Sequence, residues 1–156
     1  MDTLKRILEQ SSYFYEIISH PEPLLTSRAG AEYFGIDRGQ TAPTLLVKTG
    51  RQYFRLIIAG DRGRVNMAEL SPRLGCGRIK LAARDEVRSV TGFEPGWVPL
   101  VGIPLPVILD QRLLRYDCVY GGAGKPDCTL RIDPRALVEL NQVVAAIEDS
   151  DQQLFH

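Results

Sequence analysis

Cysteine is scarce in this 156-residue chain, which holds only Cys76, Cys118 and Cys128. The three are far apart, form no Cys-x-x-Cys pair, and are not paired in sequence with either histidine, His20 or His156. A metal site needs several such ligands at short spacing, so no metal and no cofactor is expected. An odd number of unclustered thiols suits a reducing compartment, and a cytoplasmic location is expected. Long apolar runs are also missing. None approaches the roughly 20 residues of a membrane span, and no apolar stretch of signal-peptide length follows Met1, so no membrane association is expected. Net charge is absent as well, because 19 Lys and Arg balance 19 Asp and Glu. That removes any global electrostatic argument for nucleic-acid binding. Internal repeats and low-complexity tracts do not occur.

What is present fits a globular domain. The length suits one unit, residues 1–156, able to bury a core without staples. Hydrophobic residues make up 44% and charged residues 24%, ordinary proportions for such a domain. The charge is unevenly spread. Residues 51–89 hold nine Lys or Arg against four Asp or Glu, whereas residues 133–156 hold five acids and one Arg. The basic middle reads either as a phosphate-facing patch or as a solvated face with scattered charges.

Helix and strand signals mix without strict alternation. Residues 2–10 read as a helix with Leu4, Ile7 and Leu8 on one face. Residues 13–19 are aromatic and β-branched, a strand broken by His20-Pro21. Ser27 is placed to cap a short helix closed by Gly35. Residues 44–48 and 52–59 form two strands around a Thr49-Gly50 turn. Asn66 opens a helix ending at Gly75, and residues 83–91 form another ended by Gly92. Strands follow at 107–110, 118–120 and 129–132, with Gly121-Gly122-Ala123-Gly124 separating the last two. Asp133-Pro134 starts a final helix whose core face would be Leu137, Leu140, Val144 and Ile147. The expected fold is an α/β domain with a mixed, strongly curved β-sheet flanked by helices. Residues 92–106 stand apart: Gly92, Gly96, Gly102 and four prolines are interleaved with apolar residues, a composition that implies a fixed irregular loop.

Several of these segments, in this order, resemble the YbaK family of trans-acting aminoacyl-tRNA deacylases, relatives of the editing domain of prolyl-tRNA synthetase. They are His20-Pro21 and the helix ending Phe34-Gly35, the run Pro43-Thr44-Leu45-Leu46, and Gly60-Asp61-Arg62. Thr91-Gly92-Phe93-Glu94-Pro95-Gly96-Trp97-Val98 follows, then the strand ending at Asp110, Tyr120-Gly121-Gly122-Ala123-Gly124 and Asp133-Pro134. The resemblance spans residues 15–147. It implies a hydrolase that cleaves the ester between a wrongly attached amino acid and its tRNA, centred on prolyl-tRNA bearing alanine, cysteine or a similar small residue. Aminoacyl-tRNA is the implied partner and a synthetase a further one. A monomer and a homodimer both remain open.

Ester hydrolysis needs a positioned water and donors for the developing oxyanion. The implied catalytic residues are Gly96, through its backbone N–H, with Asp61 and Asp110 as carboxylates that could orient water. Implied substrate-binding residues are His20, Lys48, Gly92, Phe93, Trp97, Gly121, Gly122 and Gly124. Each has a structural alternative: turn residues for the glycines, a turn and a cap for the two aspartates, a strand-end lysine, and core packing for the rings. Two departures stand out. The family loop has the form Gly-x-x-x-Pro, and here Pro99 comes one position early. The family lysine before Thr-Leu is here Pro43, which has neither charge nor N–H. That substitution favours a second function, a catalytically degenerate module that binds tRNA, an aminoacyl ligand or a synthetase.

Overall fold

Short-range chemistry sets most of the element ends. In the computed structural model, which describes residues 2–148, helix α1 (Asp2–Gln10) buries Leu4 and Leu8. Strand β1 is Tyr15–Ser19. Helix α2 (Ser27–Phe34) is capped not by Ser27 but by Thr26, whose hydroxyl accepts from Ala29 N–H, and it ends at Gly35 with φ 66°. The cap lies one residue earlier because Ser27 itself already has helical backbone. Asn66 does cap α3 (Met67–Leu74), and Gly92 ends α4 (Arg84–Thr91) with φ 82°. Gly35, Gly75 and Gly92 are the positive-φ terminations that glycine allows.

Strands β2 (Thr41–Ala42), β3 (Thr44–Thr49), β4 (Gln52–Ile57), β5 (Lys80–Leu81) and β6 (Val107–Asp110) precede β7 (Val119–Gly122) and β8 (Cys128–Ile132). Gly121 and Gly122 therefore belong to β7, and the connection to β8, residues 123–127, is shorter than the expected 121–128. The mixed α/β character is as expected, but the strands divide between two sheets. One has the order β1-β8-β7-β2. The other has the order β5-β3-β4-β6-β9, with β9 spanning Val143–Ile147.

Strand β9 corrects the expected long final helix. Helix α5 covers only Pro134–Glu139, behind the Asp133 cap. The Asn141 side chain then donates to the Leu137 and Leu100 carbonyls, at 3.1 and 3.0 Å, and helps end the helix. The β-branched run that follows pairs in parallel with β6. Strand β6 is buried throughout, and its free edge needs hydrogen-bond partners; this tertiary demand overrides the helical spacing of Val144 and Ile147.

The main core lies between the sheets. Val119, Leu130 and Ile132 of the first meet Ile57, Val107 and Leu109 of the second, closed by Leu4 and Leu8 of α1. A second cluster covers the other face of the five-stranded sheet, where Val47, Leu56 and Ile108 pack on Leu70 of α3. The outer face of the four-stranded sheet is different. Glu16, Arg131 and Tyr120 lie in one cross-strand row, and Ile18, Thr129 and Gly122 in the next.

Arg55, on β4, is fully buried. Its guanidinium donates to the carbonyls of Pro99, Leu100 and Ile103 and, at 2.6 Å, to Asn141 Oδ1. Burial pulls its pKa down to about 10, which leaves it charged near neutrality. Loop 92–106 is thus pinned from below by one cation, which explains how a Gly- and Pro-rich segment holds one shape. Arg55 and the buried Arg62 also bear on the two readings of the basic middle. Neither faces solvent, so the positive segment is not one surface.

Candidate functional site

A cleft of about 440 Å³ opens on the outer face of the four-stranded sheet. Its walls come from five places: His20 and α2 with the segment before it, residues 41–46 of β2 and β3, residues 81–87 from β5 to α4, residues 95–98 of the pinned loop, and β7–β8 with their connection. The volume falls within the usual range of small-ligand sites.

The glycines of β7 shape the cleft by letting the loop settle on the sheet. A Cβ on Gly121 would meet the Leu100 side chain at 2.6 Å, and one on Gly122 would run into the Val98 carbonyl oxygen. With no Cβ in the way, Leu100 N–H reaches the Gly122 carbonyl at 3.1 Å and Gly124 N–H reaches Trp97 O at 2.9 Å. Trp97 N–H is turned back onto Glu94 O. The flanking N–H groups of Gly96 and Val98 have no acceptor among the described residues, and both residues line the cleft. Gly96 holds φ 93°, a backbone state that side chains rarely adopt.

Across Gly122 lies Thr129, its cross-strand partner. Thr129 Oγ1 is 2.9 Å from His20 Nε2, and His20 Nδ1 is 2.7 Å from the Glu22 carbonyl oxygen. A carbonyl only accepts, so Nδ1 carries a hydrogen. In the neutral ring Nε2 is then the acceptor and the Thr129 hydroxyl donates to it. The hydroxyl oxygen keeps its lone pairs to accept with, and Thr129 lines the cleft. A hydroxyl bonded to an imidazole that is itself oriented by a third group is the arrangement that activates a hydroxyl or a water.

Of the residues expected in the site, His20, Gly96, Trp97, Gly121 and Gly122 line the cleft. The others lie elsewhere. Lys48 is held by Glu86 at 2.6 Å, and Tyr53 donates to the same carboxylate at 2.7 Å. The Lys48 pair lowers the Glu86 pKa to about 2, helped by the Ala83 N–H and Tyr53, and raises that of Lys48. Asp110 is fully buried and accepts from Ala59 N–H, from Arg62 twice and from Arg112 N–H, so all its lone pairs face the protein. Asp61 lies outside the cleft, 3.6 Å from Arg112 Nη1. Gly92 ends α4, and Gly124 packs against Phe93, which itself joins the cluster of Leu46, Val87 and Val98. His156 lies outside the described residues.

Sequence reading missed four cleft residues. Thr129 was visible only as a strand start. Lys125 and Arg84 reach the rim and, among the described residues, meet no carboxylate. Thr44 Oγ1 is buried beside Pro43 with no hydrogen-bond partner, a polar atom suited to a ligand group. Thr44, within the Pro43-Thr44-Leu45-Leu46 run, and Lys125, directly after the glycine-rich segment, carried some sequence signal. Pro43 itself lines the wall and gives its carbonyl to Ile58 N–H.

Comparison with known proteins gives this cleft a family. The chain is 29% identical over 112 residues to the proline–tRNA ligase of Desulforamulus reducens, an overlap of 70% of this chain and 20% of the ligase. With the ligase of Trichlorobacter lovleyi it shares 31% over 86 residues, 53% of this chain and 15% of that one. The chain thus spans a fifth or less of the length of these ligases. Among solved structures, a hypothetical protein superposes with TM-score 0.84 at 27% identity, covering 92% of this chain and 97% of that one. A candidate trans-editing enzyme for prolyl tRNA synthetase superposes with TM-score 0.81 at 26% identity, covering 94% of each. The family model described as aminoacyl-tRNA editing domain matches residues 21–140, and the chain belongs to that family.

Proposed function

We propose that the protein is a deacylase acting in trans on mischarged aminoacyl-tRNA, with prolyl-tRNA bearing alanine, cysteine or a similarly small residue as its substrate. The observation that carries this reading is the Thr129–His20 pair set beside the two unpaired N–H groups of the 95–98 loop. Water held by Thr129 attacks the ester carbonyl carbon. Its proton passes to Thr129 Oγ1 as the threonine proton moves to His20 Nε2. The N–H groups of Gly96 and Val98 receive the oxyanion. Collapse breaks the bond to the ribose oxygen, which takes the proton back and leaves as the tRNA hydroxyl. Leu46, Val87 and Trp97 give the cleft apolar walls for the amino-acid side chain, and Arg84 and Lys125 meet phosphates at its rim. Such hydrolysis serves where an apolar synthetase pocket cannot reject a similar side chain. A prolyl-tRNA synthetase is the natural partner, since the curated relatives are ligases of that type.

Pro43 supports a second reading. It places an uncharged ring on the cleft wall, at the position where the YbaK family carries a lysine. A module that binds the acceptor end without cleaving it would keep the cleft and lose that charge. The experiment is release of amino acid from proline tRNA charged with alanine, cysteine or proline, by the natural protein and by Pro43→Lys. Turnover of a mischarged member with the prolyl form spared supports the deacylase. Retained tRNA binding without turnover, with activity appearing in Pro43→Lys, supports the binding module.

A further inference from the structure

Beyond the cleft, α2 and the outer face of the four-stranded sheet together carry a line of rings and one guanidinium that the hydrolytic reading does not use. Phe34 and Tyr120 line the cleft and touch each other, with centroids 4.8 Å apart and planes tilted by 38°. From Tyr120 the line leaves the cleft. The Arg131 guanidinium carbon lies 5.9 Å from the Tyr120 centroid and 5.0 Å from that of Phe14. Phe14 is 49% exposed at the far end. On the other side Phe34 continues to Tyr33, 4.9 Å away and 51% exposed. The sheet part of the row arises from strand alternation: Leu130 and Ile132 point to the core, so Arg131 points outward, beside its cross-strand partner Tyr120. Phe34 and Tyr33 join it from α2.

We infer that this row is a stacking track for unpaired nucleotides that run out of the cleft, namely the single-stranded residues 5′ of the terminal adenosine of an acceptor end. Every base has a π-face, and ring-and-arginine platforms on exposed sheets bind single strands in this way. The track is continuous with the cleft because Phe34 and Tyr120 belong to both. Glu16 holds Arg131 at 3.2 Å, so that cation is partly neutralised. Its part here is to bridge the Phe14 and Tyr120 rings by cation–π contact, while phosphate contact falls to the rim cations Arg84 and Lys125. The inference rests on the acceptor-end reading of the cleft for the identity of its occupant.

The test uses RNA oligonucleotides of one to four residues that all end in the same 3′ adenosine, titrated against the full chain. Affinity should rise with each of the first two or three added nucleotides. Phe14→Leu and Arg131→Gln, which lie outside the cleft, should each remove about tenfold of that gain while leaving the affinity for adenosine alone unchanged. Circular dichroism would confirm that both variants keep the fold. If adenosine binds and lengthening adds nothing, or if the variants retain the full gain, the track is overturned and the cleft reading stands. If no member binds, including adenosine, the cleft reading falls and the track with it. If the protein is a dimer that Phe14→Leu dissociates, this face is a protein interface and the inference is overturned.

Discussion

Thr129 has its hydroxyl hydrogen committed to His20, and this makes a prediction at the scale of one atom. Thr129→Val keeps the shape and removes the relay. It should lower kcat about 100-fold with KM nearly unchanged, and Thr129→Ser should restore most of the rate. Single-turnover hydrolysis would measure both, and equal rates for Val and Ser would remove Thr129 from the chemistry. Asp110 makes the opposite prediction. Its carboxylate satisfies four donors in the core, so Asp110→Asn should cost about 3–5 kcal/mol of stability. Activity per folded molecule should not change. Denaturant unfolding alongside the rate measurement separates these effects, and lost rate without lost stability would return Asp110 to the active site. In the sequence the two residues invite the reverse assignment. An aspartate at a strand end reads as chemistry and a strand threonine as filler, because neither partner, Arg62 or His20, is near in the chain.

At the scale of elements, two contacts hold the cleft walls. Loop 92–106 lies on β7 through Gly122, where an added Cβ meets the Val98 carbonyl. Gly122→Ala should push the loop outward and destabilise the fold by about 1–3 kcal/mol. Thermal melting with adenosine titration would show reduced stability and weaker binding together. The second contact joins α4 to β3 and β4 through Glu86, Lys48 and Tyr53. Folding lowers the Glu86 pKa from the ordinary 4.5 to about 2. The stability it contributes is therefore full above about 4.5 and is lost as pH falls from there toward about 2. Glu86→Gln should flatten the acid limb of Tm against pH in that window; an unchanged limb would mean other carboxylates govern it. The ends of α3 and α4 and the β3–β4 hairpin were legible in the sequence. Strand β9 was not, because its residues also satisfy a helical spacing and only the open edge of β6 decides between the two.

For the whole molecule, net charge is zero, and the basic segment is split between core and surface. RNA affinity should then depend on the few cations at the rim. With Arg84 and Lys125 each neutralising one phosphate, log affinity should fall against log salt with a slope of about −1.5 for a single strand. A slope steeper than about −4 would mean that the basic segment acts as one broad patch. Titrations of a short acceptor-end RNA at several salt concentrations would measure it.

The sequence by itself determined the mixed α/β class, most element ends, the special character of loop 92–106 and three glycines that line the cleft, Gly96, Gly121 and Gly122. These are short-range properties: a cap, a positive φ and a proline act within a few residues of where they stand. Tertiary structure decided the rest. It divided the strands into two sheets, placed Arg55 beneath the loop and turned Lys48 and Asp110 into structural ion pairs. It also brought His20 to Thr129 across 109 positions of chain. No local pattern encodes such a meeting, because it follows from the register of β1 on β8, which the packing of both strands against the shared core fixes.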